Sequence, residues 1–341
     1  MLKIKPVKIT DLASLQSALQ KAIELEHATI PPYLTAYYTL RGTSPGGVAA
    51  RQIIHSIVIE EMLHMQLACN ILNAIGGAPL INAPDFIPNY PGPLPMGIGG
   101  ADGLVVGIKR YSKATVQNTF MEIEEPENPI HIPVKTLAME AIAPNFETIG
   151  QFYTAIGKEI VRLNKDNNIF TGDPGRQVGT TIVKDVDSAM AAIGTIVTQG
   201  EGTPTSPADS PTGEYAHYYR FEELFMGMRI VVDPKSSVGY SFDPKQPIVV
   251  DDIADVTQMA DNPRTVDFSS NWRAGQLADE CDAIYTKLLN ALHIGFNGQP
   301  DWIAVNAVSV MFEFKNCIEE LLQQQLAGGL YAGPRFLYAG P

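Results

Sequence analysis

The stretch IVIEEMLHMQLACNILNAIGG, residues 57–77, sets an acid and an imidazole inside an otherwise apolar helical run. On a 3.6-residue period Ile57, Glu61, His64, Ala68 and Ile71 share one stripe. Glu61 and His64 therefore point toward a core. A buried carboxylate is costly unless it is paired, hydrogen-bonded or bound to a metal. The spacing predicts a helix over about 47–75, stopped by Gly76-Gly77.

Working outward, residues 9–40 read as a preceding helix, capped by Thr10 or Asp11. Its inner stripe is Leu15, Leu19, Ala22, Glu26, Ile30 and Tyr33, so Glu26 is a second buried acid. Glu24 falls with Ser17, Gln20 and Lys21 on the wet side. Pro31-Pro32 should kink or restart this helix. Residues 78–135 are rich in Pro and Gly and read as a crossover with its own small substructure, covering one end of the bundle. Within it LVVGIKRYS suggests a strand, and KATVQNTFMEIEEPENP a short helix broken at Pro126.

A third helix is expected over about 145–164, with Ile149, Phe152, Tyr153, Ile156, Ile160 and Leu163 inward. After a short helix at about 185–198, a fourth core helix is expected from about 212. It carries Glu214-x-x-His217, repeating the spacing of Glu61-x-x-His64, with Phe221 and Leu224 on the same stripe. MRIVVD suggests a strand, residues 233–270 a loop-rich region, and about 271–294 and 301–326 two more apolar helices. The tail contains LYAGP twice, at 330 and 337. The fold class is all-α: a four-helix bundle with a long crossover insertion and a helical C-terminal extension. The division falls at 1–232 and 233–341.

Composition narrows the function. An apolar fraction of 45% and a mean hydropathy of +0.01 are those of an ordinary globular chain. A net charge of -13 without a Lys/Arg cluster argues against nucleic acid as partner. No apolar run reaches the ~18 residues of a membrane span, and MLKIKPVKITDL has no apolar leader core. No membrane association and a cytoplasmic location are the expectations. Three cysteines without a CxxC suggest neither a disulfide framework nor a zinc ribbon, so Cys69, Cys281 and Cys317 are expected reduced and buried.

Two Glu-x-x-His pairs plus one Glu on each of two other helices form the inward ligand set of di-iron and di-manganese carboxylate bundles. Residues i and i+3 share a helix face, so one helix offers an oxygen and a nitrogen to one cation. The expected cofactor is two iron ions, or manganese. The expected ligands are Glu26, Glu61, His64, Glu214, His217 and one residue of the third helix. That last position stays open between Glu147, Gln151 and Glu159. Glu159 is favoured if helices three and four run antiparallel, and Glu147 lies about 18 Å away along the axis. The blander readings are a buried Glu61–His64 polar pair and a Glu214 placed only by the dipole of a first helical turn. His27 neighbours Glu26, and the expectation is open between a side chain that supports that acid and one at the surface. His55, His131 and His293 have no ligand spacing.

LEHATIPPYLTAYYTL (25–40), IEEMLHMQLACNILNAIGGAP (59–79), FIPNYPGPLP (86–95), TIGQFYTAI (148–156) and HYYRFEEL (217–224) resemble the ferritin-like domain of the iminophenyl-pyruvate dimer synthase family. That family includes the ferritin-like part of enzymes of violacein and rebeccamycin biosynthesis. The resemblance covers about residues 10–230 and implies a ferritin-like bundle with metal ligands at Glu26, Glu61, His64, Glu214 and His217. Its helix-three position is often a carboxylate where this chain has Gln151, and Glu147 stands one turn away. The resemblance further implies an oxidoreductase that uses dioxygen on a small amino-acid-derived or aromatic substrate in secondary metabolism. A homo-oligomer is compatible with it. The alternatives are a non-catalytic metal-binding or storage protein and a degenerate structural bundle.

Overall fold

The computed structural model describes residues 8–97, 104–135, 148–203, 206–208, 214–266 and 268–340. Helix α1 (Leu12–Thr39) starts at Asp11, whose carboxylate accepts the Ser14 amide while the Ser14 hydroxyl accepts the Asp11 amide. This reciprocal cap satisfies two amides that a first turn leaves open. Of the kink or restart expected at Pro31-Pro32, the restart does not occur: α1 runs through both prolines as one helix. Pro32 has no N–H to give the Ala28 carbonyl, and the Tyr90 hydroxyl donates to that carbonyl instead, at 2.6 Å.

Helix α2 (Pro45–Ala74) is capped by Ser44, with Pro at its first position, and stops at Gly76, where φ is +77°. A Cβ at Gly77 would lie 2.3 Å from Leu72 Cδ1, so any larger residue there would displace the Leu72 side chain. The crossover holds α3 (Lys113–Thr115), which runs on into a π-helical turn, Val116–Met121. Helices α4 (Ile149–Asp166) and α5 (Val186–Glu201) follow. Helix α6 (His217–Met226) leads into a two-stranded antiparallel sheet, β1 (Met228–Val232) and β2 (Tyr240–Pro247). Helices α7 (Trp272–Phe296) and α8 (Val308–Leu321) pack on each other.

Helix α1 packs on α2 and α4, and α5 packs on α2 and α4, which closes a ring of four rods. The fourth rod is therefore α5 and not the segment from 212. Its inner face of Ala189, Ala192, Ile193, Ile196 and Gly200 is small enough for close packing. Ten-residue α6 is only about 15 Å long. It lies against the π-helical turn and against α2 and α5.

The α7–α8 pair covers the outer side of α1 and α2, sharing one apolar core with them. Cys281 and Cys317 form a disulfide between α7 and α8, with Cα atoms 5.8 Å apart, which corrects the expectation that all three cysteines are reduced. Sequence spacing of 36 residues hid a pairing that the antiparallel packing creates. Cys69 is free and buried. The tail lies along α7: the Leu337 amide donates to Asp282 and the Ala339 amide to the Thr286 hydroxyl. Among the described residues no helix is long and apolar enough to cross a membrane.

Candidate metal centre

Five ionisable side chains converge midway along α1 and α2, beside the start of α6. Glu61 and His64 share one face of α2, and Glu26 faces them from α1. His217 is the first residue of α6. Glu124 follows the π-helical turn of the crossover. None is more than 6% exposed.

Each acid has one oxygen tied outward and one turned inward. Tyr153 donates to Glu26 Oε1 at 2.5 Å, Thr29 to Glu61 Oε2 at 2.7 Å, and Tyr33 to Glu124 Oε1 at 2.6 Å. Each histidine is likewise held by its outer nitrogen. His64 Nε2 meets Gln199 Oε1 at 2.9 Å, and His217 Nε2 meets Glu60 Oε2 at 2.8 Å. Arg220 also binds Glu60, so that carboxylate is an ionised acceptor. Burial pushes Glu60 up, but His217 and Arg220 override this and hold its carboxyl at about 2.

The remaining atoms face one another. His64 Nδ1 lies 3.6 Å from Glu26 Oε2 and 3.7 Å from Glu61 Oε1. His217 Nδ1 lies 2.7 Å from Glu61 Oε1 and 3.6 Å from Glu124 Oε2. Glu61 Oε1 thus stands between two imidazole nitrogens. The two rings are stacked with centroids 5.3 Å apart.

Gln199 and Glu60 accept, so each Nε2 carries its proton outward. Neutral imidazoles would then turn the Nδ1 lone pairs at carboxylate oxygens, which repels unless a proton or a cation lies between. His217 Nδ1 is buried and makes no hydrogen bond. Burial alone would lower the two histidines, but the facing acids raise both, His217 well above its usual value. Burial and the nearby Glu124 carboxylate push Glu61 up to about 7. Three carboxyl groups and two imidazoles thus crowd a buried space with their acceptor atoms opposed, and cations held between them would relieve both the opposition and the cost of burial. Glu61, His64 and His217 alone place one ligand atom each within 4.8 Å of one another. The residues present fit a metal.

A cavity of about 20 Å³ adjoins the cluster, lined by Glu26, Glu61, His64, Glu124, Tyr153 and Glu201. It has room for one water-sized group. Glu201, at the end of α5, accepts the Gly150 amide at 2.7 Å, and burial pushes its carboxyl up to about 7.

Of the residues expected from sequence, the structure brings together Glu26, Glu61, His64 and His217. Glu214 stands apart, its side chain 58% exposed and 3.6 Å from Arg220. Helix α6 begins only at His217, so the two residues are not on one helical face. Glu147 lies outside the described residues. Gln151 is spent on the cap of α4, its side chain accepting the Thr148 amide. Glu159 pairs with Arg162 on the surface side at 2.5 Å. The third rod sends Tyr153 to the site, where no carboxylate from the described part of it reaches. Glu124, Gln199, Glu60 and Glu201 were missed. A signal for Glu124 existed in the apolar run of Val116, Phe120 and Ile123, but four acids crowd MEIEEPE and hide which one turns inward.

A sequence profile described as Ferritin-like matches residues 19–226. The chain belongs to the ferritin-like family. A ferritin-like protein of Caulobacter vibrioides, solved at 1.95 Å, superposes with a TM-score of 0.64 at 22% identity. The match covers 97% of this chain and 100% of that one, so the likeness in fold to that protein extends through the α7–α8 region. The 2-imino-3-(indol-3-yl)propanoate dimerase of Chromobacterium violaceum is 26% identical over 256 residues. That alignment takes in 64% of this chain and 24% of the dimerase, so the chain spans about a quarter of that relative's length.

Proposed function

We propose that this ferritin-like protein is a two-metal oxidoreductase acting with dioxygen on a small amino-acid-derived or aromatic substrate in secondary metabolism. The observation that carries the reading is the inward pair of Nδ1 atoms, each facing carboxylate oxygens while its Nε2 is held from outside. This is the arrangement of metal-ligating histidines with supporting partners. Glu26 and His64 would hold one cation, Glu124 and His217 the second, and Glu61 both. Bound by these residues in a reduced state, iron or manganese would supply the electrons for dioxygen chemistry. The protein's own part is positional and electrostatic. The hydroxyls of Tyr153, Thr29 and Tyr33 fix which oxygen of each acid turns inward. Burial excludes bulk water from all five ligands. The Glu201 carboxyl, pushed up to about 7, holds or releases a proton beside the cavity near neutral pH. The substrate class is supported by the indole-bearing imino acid in the name of the Chromobacterium relative.

Elemental analysis of the purified protein should find about two iron or manganese per chain. Glu61→Ala and His64→Ala should each reduce this to background with the helical circular-dichroism signal intact. Full metal content in both variants rejects the site. Anaerobic iron loading, then oxygen with and without an aromatic 2-imino acid, separates turnover from the simple ferroxidation of a storage protein.

A further inference from the structure

On the other side of α1 and α2 the structure holds a cavity of about 330 Å³, roofed by α7 and α8. This is within the size of small-molecule sites, and far beyond the voids of ordinary cores. Floor and roof are both deep: Val58 and Met65 of α2 below, and Leu289, Phe296 and Phe314 of α7 and α8 above, are each no more than 4% exposed. Its rim is apolar and open, with Ile59 at 51% and Phe312 at 62% exposure, and Lys315 beside them. Among the described residues no acid lines it.

One polar pair is set into the inner wall. His27 is 3% exposed, and its Nε2 meets the Tyr285 hydroxyl at 2.6 Å. Its Nδ1 is buried without a partner. If Tyr285 donates to Nε2, Nδ1 keeps an unused N–H. If Nε2 donates to Tyr285, Nδ1 keeps an unused lone pair and the phenol an unused proton. Either way at least one hydrogen-bonding capacity is left over in an apolar wall, which is costly unless something completes it.

We propose that this cavity is a second ligand site, separate from the metal centre. It takes an apolar, ring- or chain-bearing small molecule with one uncharged oxygen function that meets His27 and Tyr285. A hydroxyl suits both proton arrangements, since it donates and accepts. The exposed rim guides the apolar body in, and the depth of the floor rules out a flat partner face as the occupant of the interior. The Cys281–Cys317 disulfide ties the two helices of the roof together.

The test uses the full chain and the neutral fluorophore N-phenyl-1-naphthylamine. Wild type should bind it saturably at one site per chain. Leu292→Trp and Met311→Trp fill the cavity from two different helices, at positions only partly buried, and each should abolish that signal with metal content unchanged. In competition, 2-naphthol should displace the probe about tenfold better than naphthalene, one hydrogen bond being the difference. His27→Phe should erase that preference while leaving naphthalene binding in place. Absence of saturable binding in wild type overturns the proposal. So does probe binding unaltered in both filled variants, or a 2-naphthol preference that survives His27→Phe. A wild-type dimer that Phe312→Glu dissociates, with probe binding seen only in that monomer, would assign the cavity's mouth to a second copy and also overturn it.

Discussion

Helices α1 and α2 present two opposite environments to two sets of neighbours. Toward α4, α5 and α6 they offer Glu26, Glu61 and His64, each polar atom anchored or facing another charge. Toward α7 and α8 they offer His27, Val58 and Met65 around an apolar hollow. His64 and His27 are equally buried, at 2% and 3% exposure. The acids around His64 raise its pKa against the effect of burial. His27 has a phenol for a partner, and burial takes its imidazole down to about 3. Equal burial thus leaves two histidines with opposite shifts, and the facing charge decides the direction.

The largest effect that would sharpen this contrast is at Glu124. Glu124→Ala should weaken metal binding by at least about 10- to 100-fold, because it deletes an inward oxygen and leaves His217 facing Glu61 alone. Glu214→Ala should leave affinity unchanged, since its carboxylate meets solvent and Arg220. Chelator-competition titrations of the two variants against wild type measure both. Equal losses would mean that the polar side of the bundle does not end where the geometry draws it.

That pair of residues also marks how far sequence reading reached. The α2 motif and Glu26 were legible because each sits on a long helix whose apolar stripe fixes which side is inward. Helix α5 was legible as a helix but not as the fourth rod. Its contribution to the site is Gln199 and Glu201, which carry no Glu-x-x-His spacing. The Glu214/His217 pair had the spacing but not the helix, which begins three residues later. Glu124 depends on a π-helical turn, Val116–Met121, whose extra width shifts the register of every residue after it. A period of 3.6 cannot predict that shift. The helix through Pro31-Pro32 depends on Tyr90, 58 residues beyond Pro32 in the chain, and no local rule contains that partner.

The second prediction concerns acid. An unfolded histidine titrates near 6.5, and His27 in the fold at about 3. Between these values the unfolded chain binds a proton that the fold refuses. The stability His27 contributes is therefore full above pH 6.5 and is lost as pH falls, by about 1 kcal/mol per unit between pH 6 and 5. His64 has the opposite sign in the metal-free protein. Its raised value gives stability that is full below 6.5 and is lost as pH rises through the folded pKa. Urea unfolding of metal-free wild type and His27→Phe at pH 6 and pH 5 isolates the first term. The variant should gain on wild type by about 1 kcal/mol on going to pH 5. A difference that does not change with pH would place His27 in contact with a charge, and the contrast with His64 would fail.

The smallest effect tests the helical face itself. Glu24 and Glu26 are two residues, about 200° of helix rotation, apart. Glu26 is 4% exposed and bound by Tyr153, whereas the Glu24 side chain is 13% exposed and reaches Lys21, itself 49% exposed, at 2.6 Å. An i,i+3 ion pair of this kind contributes a few tenths of a kcal/mol. Glu24→Gln should therefore shift unfolding free energy by less than about 0.5 kcal/mol and leave metal stoichiometry untouched. The same change at position 26 replaces an anionic oxygen by a neutral amide at 3.6 Å from His64 Nδ1, and metal stoichiometry should fall. If Glu24→Gln also lowered metal content, the two carboxylates would act together, and the division of α1 into a ligand face and a solvent face would be wrong at the point where it matters most.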